Sequence, residues 1–153
     1  MTPKTVRQSV LDRLVQDGSP EPRTWEASVE LLKRNLLRDL EHLLNTRETG
    51  EAAGPDHPNV ERSMYNYGLP DFASLSAESA KTPARLLRSI EREIELFEPR
   101  LANVRISLAD PDEKGARHMR FVIEATLRLD PEPERVEFDT VLEMDSGQIK
   151  IGD

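Results

Sequence analysis

The hydrophobic and polar positions of the chain change their period about two thirds of the way along it. Before Pro99, apolar residues recur at steps of three and four, which is typical of helices that bury one face. After Pro99 they alternate with polar residues, which is typical of half-buried strands. The pattern therefore predicts an α+β fold, with N-terminal helices followed by a small antiparallel β-sheet packed against an amphipathic helix.

The first helical pattern predicts a docking segment. Its apolar stripe consists of Val6, Val10, Leu11 and Leu14, and the Gly-Ser-Pro sequence at 18–20 ends it. We therefore divide the chain into an N-terminal helical docking segment, residues 1–20, and a single α+β domain, residues 21–153. The stripe is expected to pack on a partner helix. Folding back onto its own domain is an equally good interpretation.

Two longer helices are predicted before the sheet. One follows Thr24, a favourable N-cap, and carries a regular apolar stripe. The other begins with Thr82 as its N-cap and stops before Pro99, because proline disfavours helical geometry at the preceding residue. Between the two helices, residues 48–62 are predicted to form a solvated loop, and residues 63–72 a loop rich in aromatic residues.

Four strands are predicted after the change of period. They cover residues 101–109, 119–129, 136–144 and 148–151. The connections between them are shorter than a parallel crossover requires, so an antiparallel meander is expected.

Composition narrows the possible partners. Of the 153 residues 33% are charged and 5% are aromatic, and the net charge is -8. This acidic balance disfavours nucleic acid and anionic lipid as partners. There is no cysteine, hence no disulfide framework, and no apolar run approaches the roughly 18 residues of a membrane span. The sequence predicts a soluble, unexported protein without membrane insertion.

Candidate metal chemistry is weak. His42, His57 and His118 are scattered along the chain without the spacing of a metal site. Residues 110–115 have some character of a calcium loop, but a lysine occupies a ligand position, so a hairpin turn is expected. We predict no metal and no cofactor.

Carboxylates offer one enzymatic alternative. Glu91, Glu95 and Glu98 lie on or at the end of one predicted helix, interleaved on its surface with Arg88 and Arg92. This spacing is typical of a solvated, ion-paired helix face, whereas a glycosidase pair faces across a cleft. We therefore predict a protein that is not an enzyme, without catalytic residues. A peptidoglycan-cleaving, lysozyme-like hydrolase is the alternative.

The junction between the last helix and the first strand carries Glu98-Pro99-Arg100. In one interpretation Pro99 stops the helix while Arg100 caps its last carbonyls and pairs with Glu98. In the other, proline fixes the corner so that a carboxylate and a planar guanidinium meet a partner with little loss of conformational entropy.

Four motifs along the chain together resemble one family. In order they are Ser9–Leu14, Arg38–Arg47, Ser63–Asp71 and Phe97–Leu101. Their sequence and separations closely resemble TssE, a family of type VI secretion baseplate subunits related to the lysozyme-like wedge protein of contractile phage tails. The resemblance covers nearly the whole chain.

The resemblance implies a structural role in a cytoplasmic baseplate attached to the membrane-anchored secretion apparatus. The implied partners are the wedge subunits TssF and TssG, other baseplate components, and the sheath subunits TssB and TssC, whose polymerisation the family initiates or anchors. The partner-binding candidates are Glu98, Pro99, Arg100, Val10, Leu11, Leu14, Tyr67 and Asp71. No hydrolase motif is matched, so lysozyme activity is not implied. A strand added at residues 101–109 or 148–151 would attach the sheath.

Overall fold

The structure is a computed structural model that describes residues 5–15, 21–49, 57–70, 82–109 and 118–152. Its helices are α1 (Val10–Val15), α2 (Trp25–Asn45), α3 (Pro58–Glu61) and α4 (Thr82–Phe97), with a 3₁₀ turn at Met64–Asn66. Its strands are β1 (Leu101–Leu108), β2 (His118–Leu127), β3 (Glu134–Glu143) and β4 (Ile149–Gly152). Helices precede strands, which confirms the predicted α+β class.

The chain divides into two compact units, residues 1–39 and 40–153. Helix α2 contributes its first part to one unit and its last turns to the other, and each unit is described by itself below. The division into a docking segment and one domain at residue 20 remains a prediction.

Helix α1 is shorter than predicted. Ser9 caps it, because the Asp12 N–H donates to Ser9 Oγ over 3.0 Å while the Ser9 hydroxyl donates to Asp12 Oδ2 over 2.6 Å. The prediction that Val6 belongs to this helix is wrong, since its N–H donates to Ser28 Oγ instead. The Gly-Ser-Pro sequence at 18–20 lies outside the described residues.

The longer helices follow their predicted patterns. Thr24 caps α2 by accepting a hydrogen bond from the Ala27 N–H over 3.2 Å. Helix α4 begins at Thr82 itself and ends at Phe97, two residues before the proline. The interval 48–62 is not wholly a loop, because α3 lies within it, and residues 50–56 are outside the described part. The buried stripe of α2 consists of Val29, Leu32, Leu36, Leu40, Leu43 and Leu44.

The strands form one antiparallel sheet in the order β1-β2-β3-β4, the predicted meander. Helix α4 packs on β1, with Ile90 and Ile94 fully buried. Phe121 of β2 and Phe138 of β3 are buried too, so the apolar faces of helix and sheet provide the core of the second unit. In this order β1 and β4 are the two edge strands.

Strand β1 departs from the predicted alternation. Leu101 and Val104 are both buried although they are three positions apart, and Leu108 is exposed. The register with β2 shifts between Ala102 and Arg105, and Asn103 between them has a φ of 53°. A β-bulge therefore turns Val104 inward, and asparagine tolerates the left-handed backbone that the bulge requires.

Candidate interaction site

The corner between α4 and β1 is a tight turn. The Glu98 N–H makes the last helical hydrogen bond, to the Ile94 carbonyl over 2.9 Å, and the Leu101 N–H donates to the Glu98 carbonyl over 3.1 Å. Pro99 thus occupies the second position of a β-turn, where its fixed φ is favourable. The chain passes directly from helix to strand, so the direction of the corner is fixed.

Glu98 and Arg100 form a bidentate ion pair across this turn. Arg100 Nε donates to Glu98 Oε1 over 2.6 Å, Nη2 donates to Oε2, and the Arg100 backbone N–H also donates to Oε1 over 3.2 Å. The side chain of Glu98 is only 7% exposed, whereas that of Arg100 is 23% exposed and Pro99 is exposed. In the isolated chain the corner therefore exposes Pro99 and part of the Arg100 side chain, whose Nη1 is buried and whose guanidinium Glu98 holds in place.

Tyr67 lies next to this corner. Its ring contacts that of Phe97, the last residue of α4, edge to face, with the ring centroids 5.3 Å apart and an interplanar angle of 74°. The structure thus brings a predicted residue of the aromatic loop beside the predicted turn. Asp71, also predicted to bind a partner, lies outside the described residues.

The aromatic loop is fixed by backbone pairing with the end of α2. The Leu69 N–H donates to the Thr46 carbonyl over 2.8 Å, and the Glu48 N–H donates to the Leu69 carbonyl over 3.0 Å. Gly68 has a φ of 114°, and a Cβ there would lie 2.6 Å from the Thr46 carbonyl oxygen. Only glycine fits this approach, so Gly68 determines where Tyr67 is placed.

The outer edge of β4 is occupied by side chains of α2. Asn45 Nδ2 donates to the Ile149 carbonyl and Asn45 Oδ1 accepts from the Ile149 N–H, both over 2.8 Å. The Ile151 N–H points to Glu41 Oε1 at 3.5 Å. The amide of Asn45 pairs with β4 as a neighbouring strand would. No local sequence pattern reveals a contact between residues 104 positions apart.

The outer edge of β1 is open. The Ala109 N–H donates to the Arg120 carbonyl of β2, so the backbone groups of Ile106 and Leu108 point away from β2 because successive residues alternate in direction. Within the described ranges no hydrogen bond reaches these outward groups. Of the two edges considered from the sequence, β1 is available to an added strand and β4 is occupied.

One exposed ion pair joins β3 to β4. Lys150 Nζ donates to Glu143 Oε1 over 2.8 Å. This hydrogen bond, followed by one from the Ser146 hydroxyl, lowers the pKa of Glu143 from its ordinary value of 4.5, and the pKa of Lys150 is raised in turn. This ion pair is more exposed to solvent than the pair of Glu98 and Arg100.

The first unit places the remaining predicted residues, Val10, Leu11 and Leu14, on the exposed face of α1. Asp12 on the opposite face is buried and accepts a hydrogen bond from Arg38 Nη2 over 2.6 Å. This bond, and then a second one to Asp39, raises the pKa of Arg38. The apolar stripe of α1 is therefore turned outward.

The described residues offer no metal site and no membrane-spanning helix. They hold no group of three or more histidine, aspartate or glutamate side chains arranged to bind a metal ion. Among them, no helix combines the length and the apolar character that crossing a bilayer requires.

The second unit is a small α+β fold with a rigid helix-to-strand corner, and the first unit carries a helix with an exposed apolar face. Residues 30–132 match the family of the baseplate wedge protein gp25, and the chain belongs to that family. The predicted relation to baseplate wedge proteins is thereby confirmed, and family membership supports a structural role in a baseplate.

One solved structure similar to this chain is described as the baseplate complex from the type VI secretion system. The match has 18% sequence identity and a TM-score of 0.48, and it covers 73% of this chain and 94% of that one. No curated protein matches the chain in sequence.

Proposed function

We propose that the chain is the TssE subunit of a type VI secretion baseplate, a cytoplasmic scaffold without catalytic activity. It binds TssF and TssG in the wedge and provides the first contacts for a sheath of TssB and TssC. The family match carries this proposal, because residues 30–132 include three of the four motifs on which the resemblance to TssE rests.

The helix-to-strand corner is the proposed wedge contact. The guanidinium of Arg100 is already held by Glu98, so little side-chain entropy is lost when a partner binds its outer side. Pro99 contributes an exposed apolar surface of fixed direction, and Tyr67 and Asp71 extend the contact. The corner suits a partner carboxylate beside a flat apolar patch.

The sheath contact is proposed at the β1 edge. A strand from a sheath subunit would pair with the outward backbone groups of Ile106 and Leu108. The corner and this edge lie at the two ends of β1, so one strand joins both contacts.

The wedge contact is tested by Arg100→Lys, with purified chain and a TssF–TssG complex in a pull-down and by isothermal titration calorimetry. Lysine keeps a charge beside Glu98 but loses the fork, so binding should weaken at least about tenfold while the melting temperature changes little. Arg135→Lys is the matched control, since that side chain is 85% exposed on β3. Unchanged affinity of Arg100→Lys would contradict the proposed corner contact.

Absence of catalysis is tested separately. The Glu98 carboxylate accepts three hydrogen bonds from Arg100, so both of its oxygens are already engaged within the chain. Incubation with purified peptidoglycan should release no soluble muropeptides. Release that Glu98→Gln abolishes would instead establish the hydrolase alternative.

A further inference from the structure

Helix α1 has its polar side inward and its apolar side outward. Val10, Leu11, Leu14 and Val15 are 71%, 66%, 77% and 65% exposed, while Asp12 is buried. Isolated exposed aliphatic residues are ordinary, but four on one short helix form a contiguous patch of the kind that marks an interaction site.

Polar contacts within its own unit fix this orientation. Asp12 is paired with Arg38, Asn35 Nδ2 donates to Gln8 Oε1 over 3.2 Å, and Gln8 Nε2 donates to the Ser28 carbonyl over 3.1 Å. Turning the apolar face inward would break these bonds and separate the Asp12 carboxylate from Arg38. These hydrogen bonds therefore hold the segment with its apolar stripe facing outward.

Positive charge accompanies the stripe. Arg7 and Arg13 are exposed, and neither forms an ion pair with any residue in the described part of the chain. Both line a cleft of about 290 Å³ beside α1, which also contains Glu21. Two guanidinium groups without an ion pair in the described ranges, beside an apolar patch, stand out in a chain of net charge -8.

We propose that α1 docks an amphipathic helix of another protein, with the partner's apolar face on the stripe and its carboxylates facing Arg7 and Arg13. A second copy of this chain fits less well, because a twofold contact through α1 would bring these arginines close to their own copies. The surface shares no residue with the corner or the β1 edge, so the inference does not rest on the assignment to TssE.

The test uses the full chain and designed helical peptides of about 20 residues, with leucine on one face and glutamate on the other. A second peptide carries lysine in place of glutamate. Fluorescence anisotropy should show binding of the acidic peptide, at least about tenfold weaker binding of the basic one, and weakening of the acidic complex by salt.

Substitutions assign the binding to this surface. L11S/L14S should weaken the acidic peptide at least about tenfold, and R7Q/R13Q should remove its preference over the basic peptide. Both variants should keep the wild-type melting temperature, because these side chains are exposed and form no hydrogen bond or ion pair with the described residues. Met144→Ser, at another exposed apolar residue, is the control and should bind as the wild type does.

Three outcomes overturn the proposal. One is equal binding of both peptides, and another is binding that survives L11S/L14S. The third is absence of peptide binding together with either sedimentation with phosphatidylserine vesicles or a concentration-dependent dimer that L11S/L14S abolishes. Sedimentation would assign the stripe to a membrane surface, and a dimer would assign it to a second copy of the chain. Neither conclusion depends on whether the proposed wedge contact is correct.

Discussion

Removing either partner of the Glu98–Arg100 pair should destabilise the fold, but by different amounts. Arg100→Ala leaves a carboxylate whose side chain is only 7% exposed without the guanidinium that compensates it. Breaking a buried pair in this way costs about 3–5 kcal/mol, and the partial exposure of this one favours the lower end, about 3 kcal/mol. Glu98→Ala leaves a guanidinium that already reaches solvent, so we expect about 1–2 kcal/mol.

The double variant E98A/R100A distinguishes this reasoning from simple additivity. It removes the buried charge together with its partner, so its loss should fall below the sum of the single losses by about 1–2 kcal/mol. For a chain of this size 1 kcal/mol corresponds to roughly 2–4 °C, so Arg100→Ala should lower the melting temperature by about 6–12 °C.

Urea unfolding followed by circular dichroism gives the four free energies of the cycle. The matched control is the cycle at Lys150 and Glu143, whose side chains are 61% and 30% exposed and whose coupling should be near zero. The reasoning is refuted if Arg100→Ala is no more destabilising than Glu98→Ala, or if the double variant loses the full sum. In either case the pair is not a buried anchor for Arg100.

Three further predictions concern the second unit. Asn45→Ala should lose about 2–3 kcal/mol in urea unfolding and speed hydrogen exchange at the Ile149 amide, since two backbone partners disappear; unchanged exchange would contradict the sealed edge. Gly68→Ala should lose at least about 2 kcal/mol by thermal melting, because the added Cβ meets a carbonyl oxygen at 2.6 Å; a neutral effect would contradict that approach. The pKa of Glu143, measured by NMR, should lie below 4.5 and rise towards it in Lys150→Gln; a pKa independent of Lys150 would refute this origin.

The regular helices and strands could be predicted because the pattern of apolar residues that defines each one lies within the element itself. Each turn of α2 repeats the apolar step, and β2 and β3 alternate throughout, so their type follows from which face is buried. The period of apolar residues does not predict the structure where a single hydrogen bond or backbone angle determines it. Ser9 starts α1 after Val6, and the left-handed Asn103 breaks the alternation of β1.

The same distinction applies to the candidate site. Pairing of Glu98 with Arg100 spans two residues, so the sequence suggested it as one interpretation. Its burial did not follow from the sequence, because it depends on how α4 packs on the sheet. The contact between Tyr67 and Phe97 joins distant segments, and no local pattern encodes it.

The occupied edge of β4 limits how this sheet can grow. Because Asn45 already pairs with Ile149, a strand from another chain can add only along β1 within the described sheet. If two copies paired through their β1 strands, neither copy would have a free sheet edge left. Edge pairing would therefore stop at a dimer and would not continue into a fibre. A single amide side chain thus protects the folded domain from open-ended self-assembly.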